Sequence, residues 1–414
     1  MTHTDDIPPN LPLGKRVQVL RESRGMSRPV LAGLCARGPD WLKKIESGQR
    51  ELRSHTLLLR LAAALQVSDL SVITGGESEV AQPVPLGRLS HPAMPAIWAA
   101  VMGRSLAASA ATGPIDVAAL QGKVDQTWRL WHTSRRQRTE VGDLLPDLIT
   151  RAESAARTLD GPDRRRALVA LSDVYRLTGQ ATAYVAPAEL AWVVADRALT
   201  AAQQADAPEA IAAAAWNMGN ILRETAYPEE ALRVVTEAAD LIRPHLDNSP
   251  DDWRGIYGAL QLHAAVTVAR DGRDGDAWRY WDSGDQVAKS LPASYVHPST
   301  VFGRANVDFH GVSVATDLRK SGQALARADE IDPDAMPSRE RRSRLWVEVA
   351  RGHLQRGDRT AALHVMNIAH KISSETVAYT PSARGVAAEL WQKAPRAFRA
   401  EAARLAEAVG VAGP

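Results

Sequence analysis

Hydrophobic positions in the first sixth of the chain repeat with the period of an α-helix. Leu13, Val17 and Leu20 occupy positions i, i+4 and i+7, which predicts the buried face of a first helix. This helix is expected to end near Gly25, because glycine suits the left-handed position that closes a helix. The first predicted element is therefore a short amphipathic helix.

Four more short helices are predicted before residue 76. The second begins after Ser27, a favoured N-cap, with Pro29 in its opening turn. The third runs from Pro39 to a stop at Gly48, and the fourth begins at about Ser54. The residues expected in the core are Val30, Leu31 and Leu34 of the second helix, Leu42 and Ile45 of the third, Leu57, Leu58, Leu61 and Leu65 of the fourth, and Leu70 and Ile73 of the fifth.

Three motifs in this region resemble one known family. They are LA at residues 31–32, LKKIESG at 42–48 and LLRLAAALQVS at 58–68. Residues 13–75 thus resemble the lambda-repressor-like, or XRE-type, helix-turn-helix. Two positions depart from the usual pattern: Arg37 replaces an aliphatic turn residue, and Gly38 replaces a Ser or Thr N-cap.

The charge of this region fits a polyanionic partner. Between Leu13 and Thr74 there are eleven Lys or Arg residues against five Asp or Glu residues, whereas the whole chain has a net charge of only +2. A basic surplus on one small domain is the electrostatic footprint of nucleic-acid binding. We therefore expect a double-stranded DNA operator as the partner.

The resemblance implies that the third helix enters the major groove while the second crosses the phosphates. The candidate residues are Pro39, Asp40, Lys43 and Lys44 at the bases, Ser27, Arg28, Arg50 and Arg53 near the phosphates, and Arg37 and Trp41 beside them. The lysines could donate hydrogen bonds to guanine O6 and N7, and Asp40 could accept one from cytosine N4. Alternatively, Asp40 is only a first-turn carboxylate that the helix dipole favours. Trp41 either packs against a DNA sugar or closes the core. Glu46 is expected to pair with a basic neighbour.

Beyond a linker, the rest of the chain is predicted to be helical. Residues 77–92 are rich in Pro and Gly and predict a linker, and 93–162 predict a helical connecting region. The basic stretch from Arg135 to Arg138 is expected to be solvated or paired within the protein. A single cysteine, Cys35, excludes a disulfide framework and a Cys-based zinc site. With no signal peptide or apolar span evident, we expect a cytoplasmic protein that does not bind membranes.

Small residues recur at fixed separations in residues 163–414. They are Gly219, Ala231 and Ala238 in one segment and Ala350, Ala362 and Ala369 in another. Small side chains let paired helices approach closely, and the segments resemble tetratricopeptide repeats. The predicted fold is all-α: a five-helix lambda-repressor-like domain (1–76) joined to a right-handed α-solenoid of about five hairpins (163–414), which resembles tetratricopeptide repeats and ends in a capping helix after Trp391.

A ligand in such a solenoid would contact the inward faces of its first helices. The candidates are Trp216, Asn220, Arg223, Asn306, His310 and Arg351. An asparagine amide suits a peptide backbone, and arginine suits a carboxylate. The alternative is structural, with Trp216 in the hairpin core and Arg223 paired to a glutamate.

Catalytic motifs are missing from the sequence. The eleven histidines lack metal-ligand spacing, and GxSxG, a GK[ST] phosphate loop and a strand-borne GxGxxG are not found. GRDGD at residues 272–276 is interpreted as a turn between helices. We therefore expect no enzyme activity, no metal and no cofactor.

The two parts together resemble intracellular regulators of Gram-positive and actinobacterial type. That resemblance implies a homodimeric transcription regulator whose body senses a peptide or small molecule. An alternative from the sequence is a regulator whose body binds a partner protein, with no diffusible ligand.

Overall fold

The computed structural model describes residues 11–35, 37–50, 52, 55–65, 67, 71–74, 89–103 and 116–411. These residues form 21 α-helices, three short 3₁₀ helices and no β-strand, which confirms the all-α prediction. The chain divides into two compact units, Met1–Pro85 and Leu86–Pro414. The division lies within the range predicted as a linker.

Five helices make up the described part of the first unit: α1 (Leu13–Ser23), α2 (Arg28–Leu34), α3 (Pro39–Glu46), α4 (His55–Ala64) and α5 (Ser71–Thr74). Gly25 and Gly48 have φ values of 63° and 74°, so both occupy the left-handed region expected after α1 and α3. Pro29 and Pro39 lie in the first turns of α2 and α3, where a missing N–H costs no hydrogen bond.

The core of the first unit differs from the prediction in α2. Leu31 and Cys35, four residues apart, are fully buried, but Val30 is 52% exposed and Leu34 is 58% exposed. The expectation that Val30 and Leu34 are core residues was wrong. A seven-residue helix presents only one narrow stripe to the core, and these two residues lie on the neighbouring face.

Helix α1 lies very close to the end of α3. A Cβ atom added to Gly14 would lie 2.1 Å from the carbonyl oxygen of Ile45. Only glycine therefore permits this approach, which places the C-terminal end of α3 against the first turn of α1.

The second unit contains the remaining helices. They are α6 (Met94–Met102), α7 (Val117–Thr133), α8 (Gln137–Thr158), α9 (Gly161–Thr182), α10 (Ala188–Gln204), α11 (Pro208–Glu224), α12 (Pro228–Ile242), α13 (Asp251–Arg270), α14 (Asp274–Ser290), α15 (Arg304–Asp317), α16 (Ser321–Asp329), α17 (Arg339–Gln355), α18 (Arg359–Ile372), α19 (Ser374–Tyr379), α20 (Pro381–Lys393) and α21 (Arg399–Ala408), with 3₁₀ helices at Arg243–Asn248, Pro333–Ala335 and Arg396–Phe398.

From α7 to α18 the helices pack as consecutive hairpins, and the first helix of each hairpin also contacts the first helix of the next. Small residues allow this double contact. A Cβ atom on Gly219 of α11 would lie 2.6 Å from Val235 of α12 and 3.0 Å from His263 of α13. Five hairpins, α9–α18, lie in the range predicted for repeats. Helices α6–α8 pack against the same core as α9 and α10.

The two ends of this series of hairpins meet. Helix α7 contacts α17, and the N-terminus of α8 contacts α19. The Glu375 carboxylate accepts a hydrogen bond of 2.6 Å from the backbone N–H of Arg138, 237 residues away, and a second from the Thr139 hydroxyl. A side chain of α19 therefore caps the N-terminus of α8 and closes the body on itself.

Arg138 itself is buried in this closure. Its guanidinium donates to the carbonyl oxygens of Gln180 and Ala181 at the end of α9, and it lies 5.5 Å from the ring of Trp131. Arg135 donates to the carbonyl oxygen of Lys371. These two arginines of the basic stretch are thus paired within the protein.

None of the described helices is both long enough and apolar enough to cross a membrane.

Replacing Gly14 by alanine is expected to destabilise the first unit by about 1–3 kcal/mol, because the new methyl group overpacks α1 against α3. Urea unfolding of the full chain, followed by circular dichroism, measures this change. Gly33→Ala is the matched control: Gly33 lies inside α2 with open space around its Cα, so alanine there is expected to stabilise slightly. Equal effects of the two substitutions would contradict the close approach.

Glu375→Gln is expected to lower the free energy of unfolding of the second unit by about 1.5–3 kcal/mol at neutral pH, because the charged acceptor at the N-terminus of α8 is lost. Burial raises the pKa of Glu375, but hydrogen bonds from His91, Thr139 and the Arg138 backbone outweigh it and hold the pKa below 4.5. A depressed folded-state pKa means that this stabilisation is present above pH 4.5 and is lost as the pH falls through the folded pKa.

The difference in stability between wild type and Glu375→Gln should therefore narrow upon acidification below pH 4.5, as measured by urea unfolding across a pH series. Glu237→Gln removes a solvent-exposed carboxylate of α12 and serves as the control. A difference that stays constant with pH would show that the charge of Glu375 does not stabilise the closure.

Candidate functional sites

The first candidate site is the exposed face of α3. Leu42 and Ile45 are buried and anchor this helix in the core, so the residues between them face outward. Asp40, Lys43 and Lys44 are all exposed. Among the described residues, no carboxylate lies within ion-pair distance of Lys43 or Lys44. Two cations and one carboxylate thus project together from a single short helix.

Glu46 is a buried anchor for this helix. Its carboxylate accepts hydrogen bonds of 2.6 Å from Nε of Arg21 in α1 and 2.6 Å from Nε of Arg28 in α2. The hydrogen bond to Glu46 is the main cause that raises the pKa of Arg21, so this arginine is firmly cationic. Glu46 thereby ties α3 to both preceding helices, in agreement with the prediction that it pairs with a basic neighbour.

The other predicted DNA-binding residues lie around this face. Ser27, Arg28, Arg37, Pro39 and Arg50 are exposed, although Arg28 is held by Glu46 at one edge of its guanidinium. Trp41 is half-buried and packs against the core of the unit, as one of its two interpretations required. Arg53 lies outside the described residues.

The second candidate site is a cavity of about 640 Å³ in the second unit. It is lined by the C-terminal halves of α9, α11, α13 and α15, by α17, and by the first turn of α20. Cavities of this size hold small-molecule ligands.

The structure brings most of the predicted ligand residues together. Trp216, Asn220, Arg223, His310 and Arg351, from three different helices, all line the cavity. Trp216 also packs against two hydrophobic cores, so it serves both the hairpin and the wall.

Asn306 does not line this cavity, unlike the other five predicted ligand residues. It lies in the first turn of α15, whereas the cavity is bordered by the later turns of that helix, and its side chain is buried. Its backbone carbonyl oxygen lies 2.7 Å from Nδ1 of His310, one turn further along.

Arg223 is oriented by its neighbours in the wall. Its Nη2 donates to Oδ1 of Asn220 at 2.7 Å, and its Nη1 makes longer bonds to the His263 carbonyl oxygen and the Thr267 hydroxyl. The amide of Asn220 also donates to the carbonyl oxygen of Trp216, so Asn220 is engaged within the wall. Burial, followed by the charge of Arg270, lowers the pKa of Arg223 to about 10. Arg223 is therefore still cationic at neutral pH.

Two histidines of the wall are neutral at physiological pH. Burial, then the charges of Arg223 and Arg270, holds the pKa of His263 well below 6.5. Burial and Arg341 lower the pKa of His310 to about 3. Cationic neighbours thus oppose protonation of both rings.

Sequence reasoning missed several wall residues, including His263, Val266, Arg270, Asp317, Arg341 and Arg344. The repeat register contains a signal for two of them. Ala265 of α13 occupies the place that Gly219 has in α11, so Val266 and Arg270 correspond to Asn220 and Glu224. Arg341 and Arg344 lie at the start of α17, outside the predicted repeat, and had no such signal.

Among the described residues, no group of three or more His, Cys, Asp or Glu side chains is arranged to hold a metal ion. The cavity is instead a site of arginines, amides and aromatic rings.

Comparison with known protein families gives a match in the N-terminal part of the chain. A family model described as a helix-turn-helix domain matches residues 12–71. No curated protein matches the chain.

Two solved structures match the chain at low similarity. The crystal structure of BtubC (BKLC) from P. vanneervenii is 12% identical, with a TM-score of 0.37, covering 65% of this chain and 95% of its own. Bacillus thuringiensis PlcR, solved in complex with the peptide PapR7 and DNA, is 12% identical, with a TM-score of 0.29, covering 86% of this chain and 99% of its own. On the family match and the observed helices, the chain carries a helix-turn-helix domain at its N-terminus, followed by a body of paired helices.

Proposed function

We propose that this protein is a DNA-binding transcription regulator of XRE type whose body, similar to tetratricopeptide repeats, binds a small molecule or peptide. The observation that carries the proposal is that the chain has both a cationic, outward-facing α3 in a helix-turn-helix domain and a ligand-sized cavity in the second unit.

The DNA-binding part of the proposal assigns α3 to the major groove. Lys43 and Lys44 then donate to guanine edges, while Asp40 accepts from cytosine. Ser27, Arg28, Arg37 and Arg50 lie near the phosphates, and Trp41 borders them. Glu46 has a supporting role, because its two ion pairs fix the angle at which α3 leaves the core.

The sensing part of the proposal is supported by the shape of the second unit. A partner protein is best bound by an open surface, whereas here the ends of the hairpin series are joined and the inward helix faces surround a cavity. This arrangement favours a ligand that is enclosed by the body over a protein that docks on it.

Control of DNA binding requires that the ligand bind one arrangement of the protein better than another. Two-fold symmetric operators are the usual targets of helix-turn-helix proteins, so we propose a homodimer whose two DNA-binding domains change separation or orientation when the cavity is filled. The proposal assigns no catalytic step to either unit.

Lys43→Ala is expected to weaken binding to the specific operator by about 1–3 kcal/mol and binding to random DNA by much less, because a base contact is lost. The operator is obtained by selecting bound fragments from genomic DNA with the full-length protein. Fluorescence anisotropy with the selected fragment and with a scrambled fragment then measures both affinities.

Lys15→Ala is the matched control, since Lys15 is an exposed lysine of the same unit that pairs with Gln18 on α1. An equal loss on both DNAs for Lys43→Ala would contradict the base contact. Failure of the wild-type protein to select any fragment would contradict the proposed function itself.

A further inference from the structure

The wall of the cavity carries more positive than negative charge. Its arginines are Arg223, Arg270, Arg319, Arg341, Arg344, Arg351 and Arg384, and its carboxylates are Glu224, Asp317 and Glu348. Seven cations thus face three anions.

The three carboxylates of the wall are already engaged by two of the arginines. Asp317 accepts a hydrogen bond of 2.7 Å from Arg351 and lies 3.6 Å from Arg270. Glu348 pairs with Arg351 at 2.5 Å, and Glu224 lies 3.9 Å from Arg270. These ion pairs leave no wall carboxylate for the remaining cations.

A buried carboxylate behind the wall compensates two more cations. Glu340, only 7% exposed, lies 2.5 Å from Nε of Arg344 and 3.5 Å from Nε of Arg341. Four arginines of the wall are therefore neutralised by carboxylates of the protein.

Three wall arginines remain: Arg319 is exposed, Arg384 donates to the carbonyl oxygen of Gly410, and Arg223 lies inside the wall. Among the described residues, no carboxylate lies within ion-pair distance of Arg223. Its contacts are the neutral oxygens of Asn220, His263 and Thr267, and its buried Nε has no hydrogen-bond partner. A largely desolvated cation is stabilised less by distant carboxylates such as Glu224 and Asp317 than by an anion in direct contact, which a ligand can supply. His263, beside it, also has a buried Nε2 without a hydrogen-bond partner and is only 3% exposed.

We infer that the cavity binds a small organic anion whose carboxylate is held by Arg223. The inference rests on the proposed function, in which the cavity is the sensing site, and it specifies the chemical class of the ligand. Arginine holds carboxylates through two parallel N–H donors, and Asn220 positions the guanidinium for this contact. The apolar surfaces of Trp216, Val266 and Phe309 accept the body of the ligand.

Dansylglycine is a suitable probe, because it carries one carboxylate on an aromatic fluorophore that brightens in apolar surroundings. Dansylglycinamide, which has a neutral amide in place of the carboxylate, is the matched probe. The full-length protein is titrated with each dye without DNA. Dansylglycine is expected to bind about tenfold more tightly or better, as loss of a charge-assisted hydrogen bond implies.

Arg223→Met is expected to abolish this preference for the carboxylate. Arg233→Met, which replaces an exposed arginine on the outer helix α12, is expected to retain it. A second variant, Asn220→Leu, keeps the charge but removes the hydrogen bond that orients Arg223, and it should reduce the preference without abolishing it. Circular dichroism of each variant verifies its fold.

Equal binding of the two dyes to wild type, no binding of dansylglycine, or an unchanged preference in Arg223→Met would overturn the inference. Displacement of the dye by 1-naphthylacetate would assign the site to small acids, and displacement by N-acetyl-trileucine with a free carboxyl group would assign it to peptide termini. Both results support a carboxylate site.

The same titration separates this inference from the proposed function. Lys43→Ala should bind dansylglycine as wild type does, because the dye site lies in the second unit. If dansylglycine binds through Arg223 but no bound carboxylate changes DNA affinity, the anion site is supported and the proposed control of DNA binding is contradicted.

Discussion

One buried carboxylate joins the two ends of the body of this protein. Glu375 of α19 accepts the backbone N–H of Arg138 and the hydroxyl of Thr139 at the N-terminus of α8. The first N–H groups of a helix have no partner within it, and the helix dipole makes that end attractive to an anion. Stacked hairpins can form an open spiral, whereas here this cap and the contact between α7 and α17 join the two ends. The inward helix faces of the joined hairpins line the cavity.

Uneven charge compensation is a feature of both candidate sites. In the first unit, Glu46 engages Arg21 and Arg28, and the lysines of α3 have no carboxylate partner among the described residues. In the second unit, Asp317, Glu348 and Glu340 neutralise part of the wall and leave Arg223 in contact with neutral oxygens only. A cation without an internal partner is available to an external anion. In our proposals the exposed site binds a phosphate backbone and base edges, while the cavity binds a small acid.

Local sequence patterns predicted the helix ends and several cavity residues, and the positions that they did not predict share a common cause. The glycines after α1 and α3 were found because a left-handed residue ends a helix whatever surrounds it. Asn220 was found because its place in the repeat faces inward. Val30 was assigned to the core because the helical period alone does not say how wide a stripe the neighbouring helices cover. Asn306 was predicted as a ligand residue together with His310 because the period does not say where along a helix a cavity ends.

The sequence by itself determined the helices, their ends, the small residues that allow hairpins to pack, and the basic surplus of the first unit. These properties depend on residues within a few turns of one another. The tertiary structure alone decided that Glu375 meets Arg138 across 237 residues and that Asp317 and Glu340 neutralise particular arginines. It also decided that Arg223 has no such partner among the described residues. Such pairings depend on distances in space between helices far apart in the chain, which no local periodicity encodes.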